Sequence, residues 1–191
     1  MENARRPQLP PLKYRATQAT DLARLHELEK ASYPATEAAT FAQIEYRLSH
    51  VPGELFLACL MEQEDFVCTD NMCTMLTVDK LVAFVNATLS ASSTLTAESM
   101  KTHDLAGRTV CVHSVVVDPE FRRKGIATKC LTAYVEGLKE VNERDGKKYD
   151  RVALLSHQEL VPLYEKAGFV LRGKSEVVHG PEEWLELVLE L

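Results

Sequence analysis

The chain has 191 residues, 46% of them apolar, and a formal net charge of −6 from 22 basic and 28 acidic side chains. That length suits one domain with a substantial core, and the negative balance disfavours nucleic acid while remaining compatible with a cationic substrate. No run of about eighteen apolar residues occurs and no apolar stretch backs Arg5-Arg6-Pro7, so neither a membrane span nor a signal peptide is expected, and the chain reads as cytosolic.

Residues 1–12 carry Pro7, Pro10 and Pro11 without a periodic pattern and read as a flexible tail, leaving 13–191 as a single domain. Residues 13–16 form a short candidate strand. Thr20 or Asp21 can then cap a helix whose inward face includes Leu22, Leu25 and Leu28. Residues 33–40, with Pro34 near their start, read as a loop. Phe41, Ile44, Leu48 and Val51 recur at helical spacing until Pro52-Gly53. Residues 55–61 are an apolar strand, and 62–77 read as a polar, irregular insertion that is expected to be mobile. The odd cysteine count (Cys59, Cys68, Cys73, Cys111, Cys130) argues against a closed disulfide framework. Cys68 and Cys73 lack a second ligand pair, so no zinc or other metal is expected.

Residues 81–89 are the next strand, and 90–103 a connection with a short helix near Glu98. Residues 110–117 are almost wholly apolar and β-branched, as suits a strand buried on both faces. Asp118-Pro119 stops it. From Gly125 the pattern turns helical, with Ala127, Leu131, Tyr134, Leu138 and Val141 on one stripe and Asp145-Gly146 as the terminator. Residues 152–155 are a buried strand. Residues 160–167 form a short helix with Pro162 in its first turn and Gly168 as its stop, and 169–172 and 184–191 close the chain as strands. The order predicts a mixed α/β domain in which a helix crosses over between two buried strands.

The informative segment is Val115-Val116-Val117-Asp118-Pro119-Glu120-Phe121-Arg122-Arg123-Lys124-Gly125-Ile126-Ala127-Thr128. A buried strand ends, consecutive cations follow, and a helix opens at glycine. First-turn N–H groups carry partial positive charge and can seat a pyrophosphate. Gly125 and Ala127 let it approach the backbone, while Arg122, Arg123, Lys124 and the Thr128 hydroxyl can add contacts. A solvated basic turn before an ordinary helix is the other reading, and Gly-x-Ala alone does not separate them. The segment lacks the third glycine of a dinucleotide fingerprint and the Gly-Lys-Ser/Thr of a P-loop.

With Arg122-Arg123-Lys124-Gly125-Ile126-Ala127 and Leu163-Tyr164-Glu165-Lys166-Ala167-Gly168-Phe169, the chain resembles the GCN5-related N-acetyltransferase (GNAT) superfamily. Leu95-Thr96-Ala97-Glu98-Ser99-Met100, Gly107-Arg108-Thr109, His113-Ser114-Val115-Val116-Val117 and Glu159-Leu160-Val161-Pro162-Leu163-Tyr164 narrow the resemblance to the serotonin (arylalkylamine) N-acetyltransferase family, whose fungal members include polyamine acetyltransferases. The resemblance implies a mostly antiparallel central sheet with a splayed strand pair and helices on both faces. It also implies acetyl-CoA as co-substrate, and a monomer that acetylates a small primary amine directly. Cys111 stands where vertebrate members carry the first of two histidines, and Arg5-Arg6 is followed by Pro7-Gln8 rather than a phosphorylatable threonine, so docking to 14-3-3 adaptors is not expected there.

An alkyl amine with a pKa near 10.4 is roughly 99.9% protonated at pH 7, so an enzyme must remove a proton before attack and protonate the departing thiolate. His113 fits either a core histidine or a base; the resemblance implies the base. Strand alternation places Cys111, His113, Val115 and Val117 on one face. Cys111 fits a small buried residue or an acetyl-carrying nucleophile, and Tyr164 fits a seam tyrosine or, by resemblance, the general acid. Val115, Val116 and Val117 are expected at the coenzyme, Val115 and Val117 through their backbone groups. The resemblance implies an amine pocket under the 33–40 loop near Leu155 and Ser156, where Tyr33 fits a stack on an aromatic amine and Glu37 an attraction for a polyamine ammonium, and each equally fits an ordinary loop residue. Acetylation of protein lysines or N-termini, and a non-catalytic acyl-CoA-binding module, are the competing expectations.

Overall fold

The computed structural model describes residues 9–69, 72–178 and 182–191, the side chains of Val67 and Thr69 excepted; the Arg5-Arg6 pair and most of the expected tail lie outside them. The strands are β1 (Leu12–Ala16), β2 (Phe56–Thr69), β3 (Met72–Ser90), β4 (Thr109–Val117), β5 (Arg151–Ser156), β6 (Val170–Lys174) and β7 (Leu185–Glu190). They form one seven-stranded sheet in the order β1-β2-β3-β4-β5-β7-β6. All neighbours are antiparallel except β4 and β5, whose parallel pairing requires a crossover. The fold class expected from the sequence is the one observed.

The helices are α1 (Leu22–Ser32), α2 (Phe41–His50), α3 (Ile126–Asp145) and α4 (Val161–Lys166). Arg15 grips Asp21 through two bonds of 2.7 and 2.9 Å just ahead of α1. Thr40 and Gln43 cap α2 reciprocally, each side chain bonded to the other's backbone N–H at 3.3 and 2.8 Å. Leu25, Leu28 and Ile44 from α1 and α2 pack with Phe56, Phe84 and Val116 on one face of the sheet. Leu131, Tyr134 and Leu138 of α3 pack on the other with Val85, Val152 and Leu187. Leu131 is fully buried. Leu131→Ala is expected to cost about 2–5 kcal/mol, read as a lower urea midpoint at unchanged slope.

Three expectations need correction. Residues 62–77 are not irregular: β2 and β3 stay in register through Glu62↔Asp79, Phe66↔Met75 and Thr69↔Met72, and Cys68–Cys73 closes a cross-strand disulfide near the tip. Exposure explains the misreading, because a ladder solvated on both sides needs no apolar alternation. The remaining cysteines, Cys59, Cys111 and Cys130, are free and buried. The tail is shorter than expected, since Leu12 already pairs with Met61 and Leu9 and Leu12 pack against the core. Near Glu98 there is only a hydrogen-bonded turn, Met100 N–H to Thr96 O at 3.2 Å and Thr102 N–H to Glu98 O at 3.1 Å.

The parallel pairing of β4 and β5 runs from Thr109↔Arg151 to Val112↔Leu154 and stops there, although both strands continue. They part into a V whose facing edges have no strand partner. Opposite the same point, β3 steps from Asn86↔Ser114 to Ala87↔Val112, leaving His113 as the extra residue of a β-bulge. The bulge corrects the single-face expectation for β4. Val110 and Val112 before it, and Val115 and Val117 after it, all pack on the α3 side, whereas Cys111 lies in a separate cluster with Leu95 and Ala153. One inserted residue resets the alternation and turns His113 toward the gap.

Candidate active site

A cavity of about 890 Å³ occupies the V. Its wall combines the α3 opening on one face of the sheet with the α1–α2 connection on the other. It includes Arg122, Arg123, Gly125, Ile126, Ala127 and Thr128, then Val115, Val117 and Tyr164, then Glu29, Tyr33, Glu37, Arg47, His113, Leu155 and Ser156. Most of the expected site residues therefore meet in one place.

The turn before α3 is shaped for an anion. Arg123 has φ 63° and Gly125 φ 76°, and a Cβ built on Gly125 would meet no protein atom within 4 Å. The space in front of the first-turn amides is open, and the backbone already takes the left-handed form that glycine tolerates without cost. An anion could be held there, with Arg123 as the adjacent cation. The other two cations are engaged elsewhere. Arg122 donates to Val117 O at 3.0 Å, to Ala31 O at 3.1 Å and to Ser32 Oγ at 3.0 Å, tying the end of α1 to the end of β4. Lys124 folds back on Glu120 O at 3.0 Å and over the Phe121 ring at 4.9 Å, and does not line the cavity. Arg24 pairs with the buried Asp118 and fixes the start of this turn.

Along β4 the backbone polarity can be read from its partners. Val115 N–H donates to Tyr33 Oη at 3.3 Å, and Val117 O accepts from Arg122, so both residues present main-chain groups away from β3. Val116 belongs to the opposite set and buries its side chain against α1 and α2. Of the expected coenzyme-contacting residues, Val116 and Lys124 are the two that do not border the cavity.

His113 and Tyr164 both reach the wall. His113 Nε2 lies 2.8 Å from Thr88 Oγ1, and that hydroxyl donates to Ser99 O at 3.3 Å. If the hydroxyl proton stays directed at Ser99 O, Nε2 carries the imidazole proton and Nδ1 the lone pair. Burial, and secondarily the Arg47 charge, hold the imidazole well below 6.5, so it is neutral at physiological pH. Between that depressed value and the unfolded value near 6.5 only the unfolded chain takes up the proton, so this group's contribution to stability is present above pH 6.5 and declines below it. Tyr164, 6% exposed, has no hydrogen-bond partner for its hydroxyl among the described residues, and burial pushes it up to about 12. It remains a proton donor across the working range. Cys111 is fully buried outside the cavity wall, and burial pushes its thiol up to about 12. That is the environment of an inert core thiol.

Sequence reasoning did not single out Glu29, Arg47, His157 or Trp184. Glu29 is 2% exposed, and its Oε1 accepts from Ala39 N–H at 2.9 Å and Ser114 Oγ at 3.1 Å. Arg47, 8% exposed, donates to Asn86 Oδ1 at 3.2 Å. His157 stacks on Trp184 at 4.0 Å and stands 3.5 Å from both Glu37 and Glu182.

The acetyltransferase (GNAT) family model matches residues 22–169, which span α1 through α4 and the whole cavity wall except its C-terminal part. The chain belongs to the GNAT acetyltransferase family. It is 33% identical over 112 residues to the serotonin N-acetyltransferase of Mesocricetus auratus, a match covering 59% of this chain and about half, 52%, of that protein. Among solved structures, it superposes on the loading GNATL domain of CurA from Lyngbya majuscula with a TM-score of 0.70 at 10% identity, covering 94% of this chain and 98% of that one. It also superposes on the NatC complex bound to Gag peptide and CoA, with a TM-score of 0.64 at 17% identity and coverage of 94% and 98%. At such identities these two likenesses concern the fold.

Proposed function

We propose that this protein transfers acetyl from acetyl-CoA directly to a small primary amine, an arylalkylamine or a polyamine. The observation that carries the reading is the continuity of the cavity, which joins the Gly125 turn to a chamber holding carboxylates, His113 and Tyr164. Coenzyme laid along the Val115 and Val117 edge would bring its thioester into the V between β4 and β5. The Val115 N–H is then placed to polarise the acetyl carbonyl, once Tyr33 yields it. His113 Nδ1 takes the proton of the bound amine, directly or through water, as attack on the thioester begins. Tyr164 returns a proton to the leaving thiolate. Cys111 stays outside the reaction, and no acetyl-cysteine forms.

Side chains from separate elements meet at one end of the cavity, which favours a small acceptor over a peptide. His157 links Glu37, on the connection between α1 and α2, with Glu182, next to β7, and with Trp184. Coenzyme A release in the presence of tryptamine, spermidine and an N-terminal peptide tests this. Turnover with an amine and none with the peptide is expected, and the reverse pattern would overturn the assignment.

His113→Ala tests the base. The depressed imidazole predicts a wild-type kcat/KM that is level through neutrality and falls only below pH 6.5. The variant should lose roughly 10²–10⁴-fold at neutral pH and lose that acid limb as well. A variant that keeps the wild-type pH profile would remove His113 from the role.

A further inference from the structure

Resting on the small-amine reading, we infer that Glu29 holds the ammonium group of the acceptor through its second carboxylate oxygen. Glu29 sits in the cavity wall at 2% exposure, and its two oxygens are treated unequally. Oε1 is anchored by Ala39 N–H and the Ser114 hydroxyl, whereas Oε2 is buried with no hydrogen-bond partner among the described residues. A buried carboxylate oxygen left without a donor is costly, and a donor arriving with the ligand relieves that cost. An ammonium is the donor that also meets the charge.

The placement has two consequences. Glu29 sits on α1 directly under the loop that follows it, because the same carboxylate bonds Ala39, so filling the chamber and ordering the loop become coupled. Ser114 follows His113 on β4 and all three residues line the same cavity, so Glu29 and the base border one space. Burial raises the Glu29 carboxyl above the ordinary range, as suits a group whose charge is completed by its ligand.

Glu29→Gln separates this role from a structural one. The amide oxygen can still accept from Ala39 and Ser114, so only the charge at the free position is lost. The amine KM should rise roughly tenfold to a hundredfold while the acetyl-CoA KM stays at its wild-type value. Tryptophol, the uncharged hydroxyl analogue of tryptamine, provides the second reading as an inhibitor. Wild-type protein should bind tryptamine in clear preference to it, and Glu29→Gln should lose most of that preference. If the folded variant keeps both the wild-type amine KM and the preference, Glu29 is not the ammonium site. If the variant does not fold, wild-type protein that binds tryptophol as tightly as tryptamine overturns the assignment, and a clear preference for tryptamine upholds it. Wild-type protein that acetylates no amine at all removes the small-amine reading and this inference together.

Discussion

Gly125→Val is expected to weaken coenzyme A binding by about a hundredfold or more while leaving the fold intact. Two or more charge-assisted bonds from first-turn amides to a diphosphate contribute about 1.5–3 kcal/mol each, and about 2.7 kcal/mol is already a hundredfold. A Cβ at Gly125 meets no protein atom within 4 Å, so valine does not clash internally; it projects into the open space proposed for the phosphates. The residue also sits at φ 76°, where a β-branched side chain is strained by about 1–3 kcal/mol. Gly146 supplies the control. It ends α3 at φ 72°, likewise with nothing within 4 Å of an added Cβ. Gly146→Val should lower stability by at least as much and leave coenzyme binding unchanged. Calorimetric titration of both variants decides the matter, and equal affinities for the two would show that the diphosphate does not rest on the Gly125 amides.

The proposed coenzyme half of the site was more legible in the sequence than the proposed amine half, for reasons visible in particular residues. The turn before α3 is a contiguous segment whose chemistry lies in its backbone, so Arg122 to Thr128 could be read as a unit. Even there side-chain partners were invisible. Nothing in the order Arg-Arg-Lys says that Arg122 clamps α1 to β4 and that Lys124 turns back onto Phe121. The proposed amine half is assembled from α1, α2, the end of β5 and the approach to β7, which meet only in the fold. Its signal was present in the helical phase. Glu29 stands four residues after Leu25, and Arg47 three after Ile44, so each charge falls on an apolar face. A charge on a buried stripe is a costly exception, and here both border the cavity. The β4 face failed for a different reason: alternation assumes an unbroken ladder, and a bulge cannot be seen without the partner strand. That same bulge places His113 at the mouth of the V.

Tyr164→Phe should lower kcat by roughly 10²–10⁴-fold and leave acetyl-CoA affinity close to wild type. The phenol is buried, has no protein hydrogen-bond partner among the described residues, and lies in the cavity wall, so removing its oxygen breaks no internal bond. Its ring contact with Phe169, 6.1 Å between centroids and edge-on, survives in the variant, and so does the packing of α4. The loss therefore falls on the step that needs a proton at sulfur. A group pushed up to about 12 stays protonated well above neutrality and can donate throughout that range. A thiolate formed in a low-dielectric cleft is a stronger base than in water, which narrows the gap between donor and acceptor. The wild-type rate should accordingly show no alkaline decline attributable to Tyr164 below about pH 11. A thioester with a more acidic leaving thiol needs less help from an acid, so the variant's deficit should shrink with such a donor. An unchanged kcat in Tyr164→Phe, or a deficit that does not respond to the leaving group, would mean that water rather than the phenol delivers the proton.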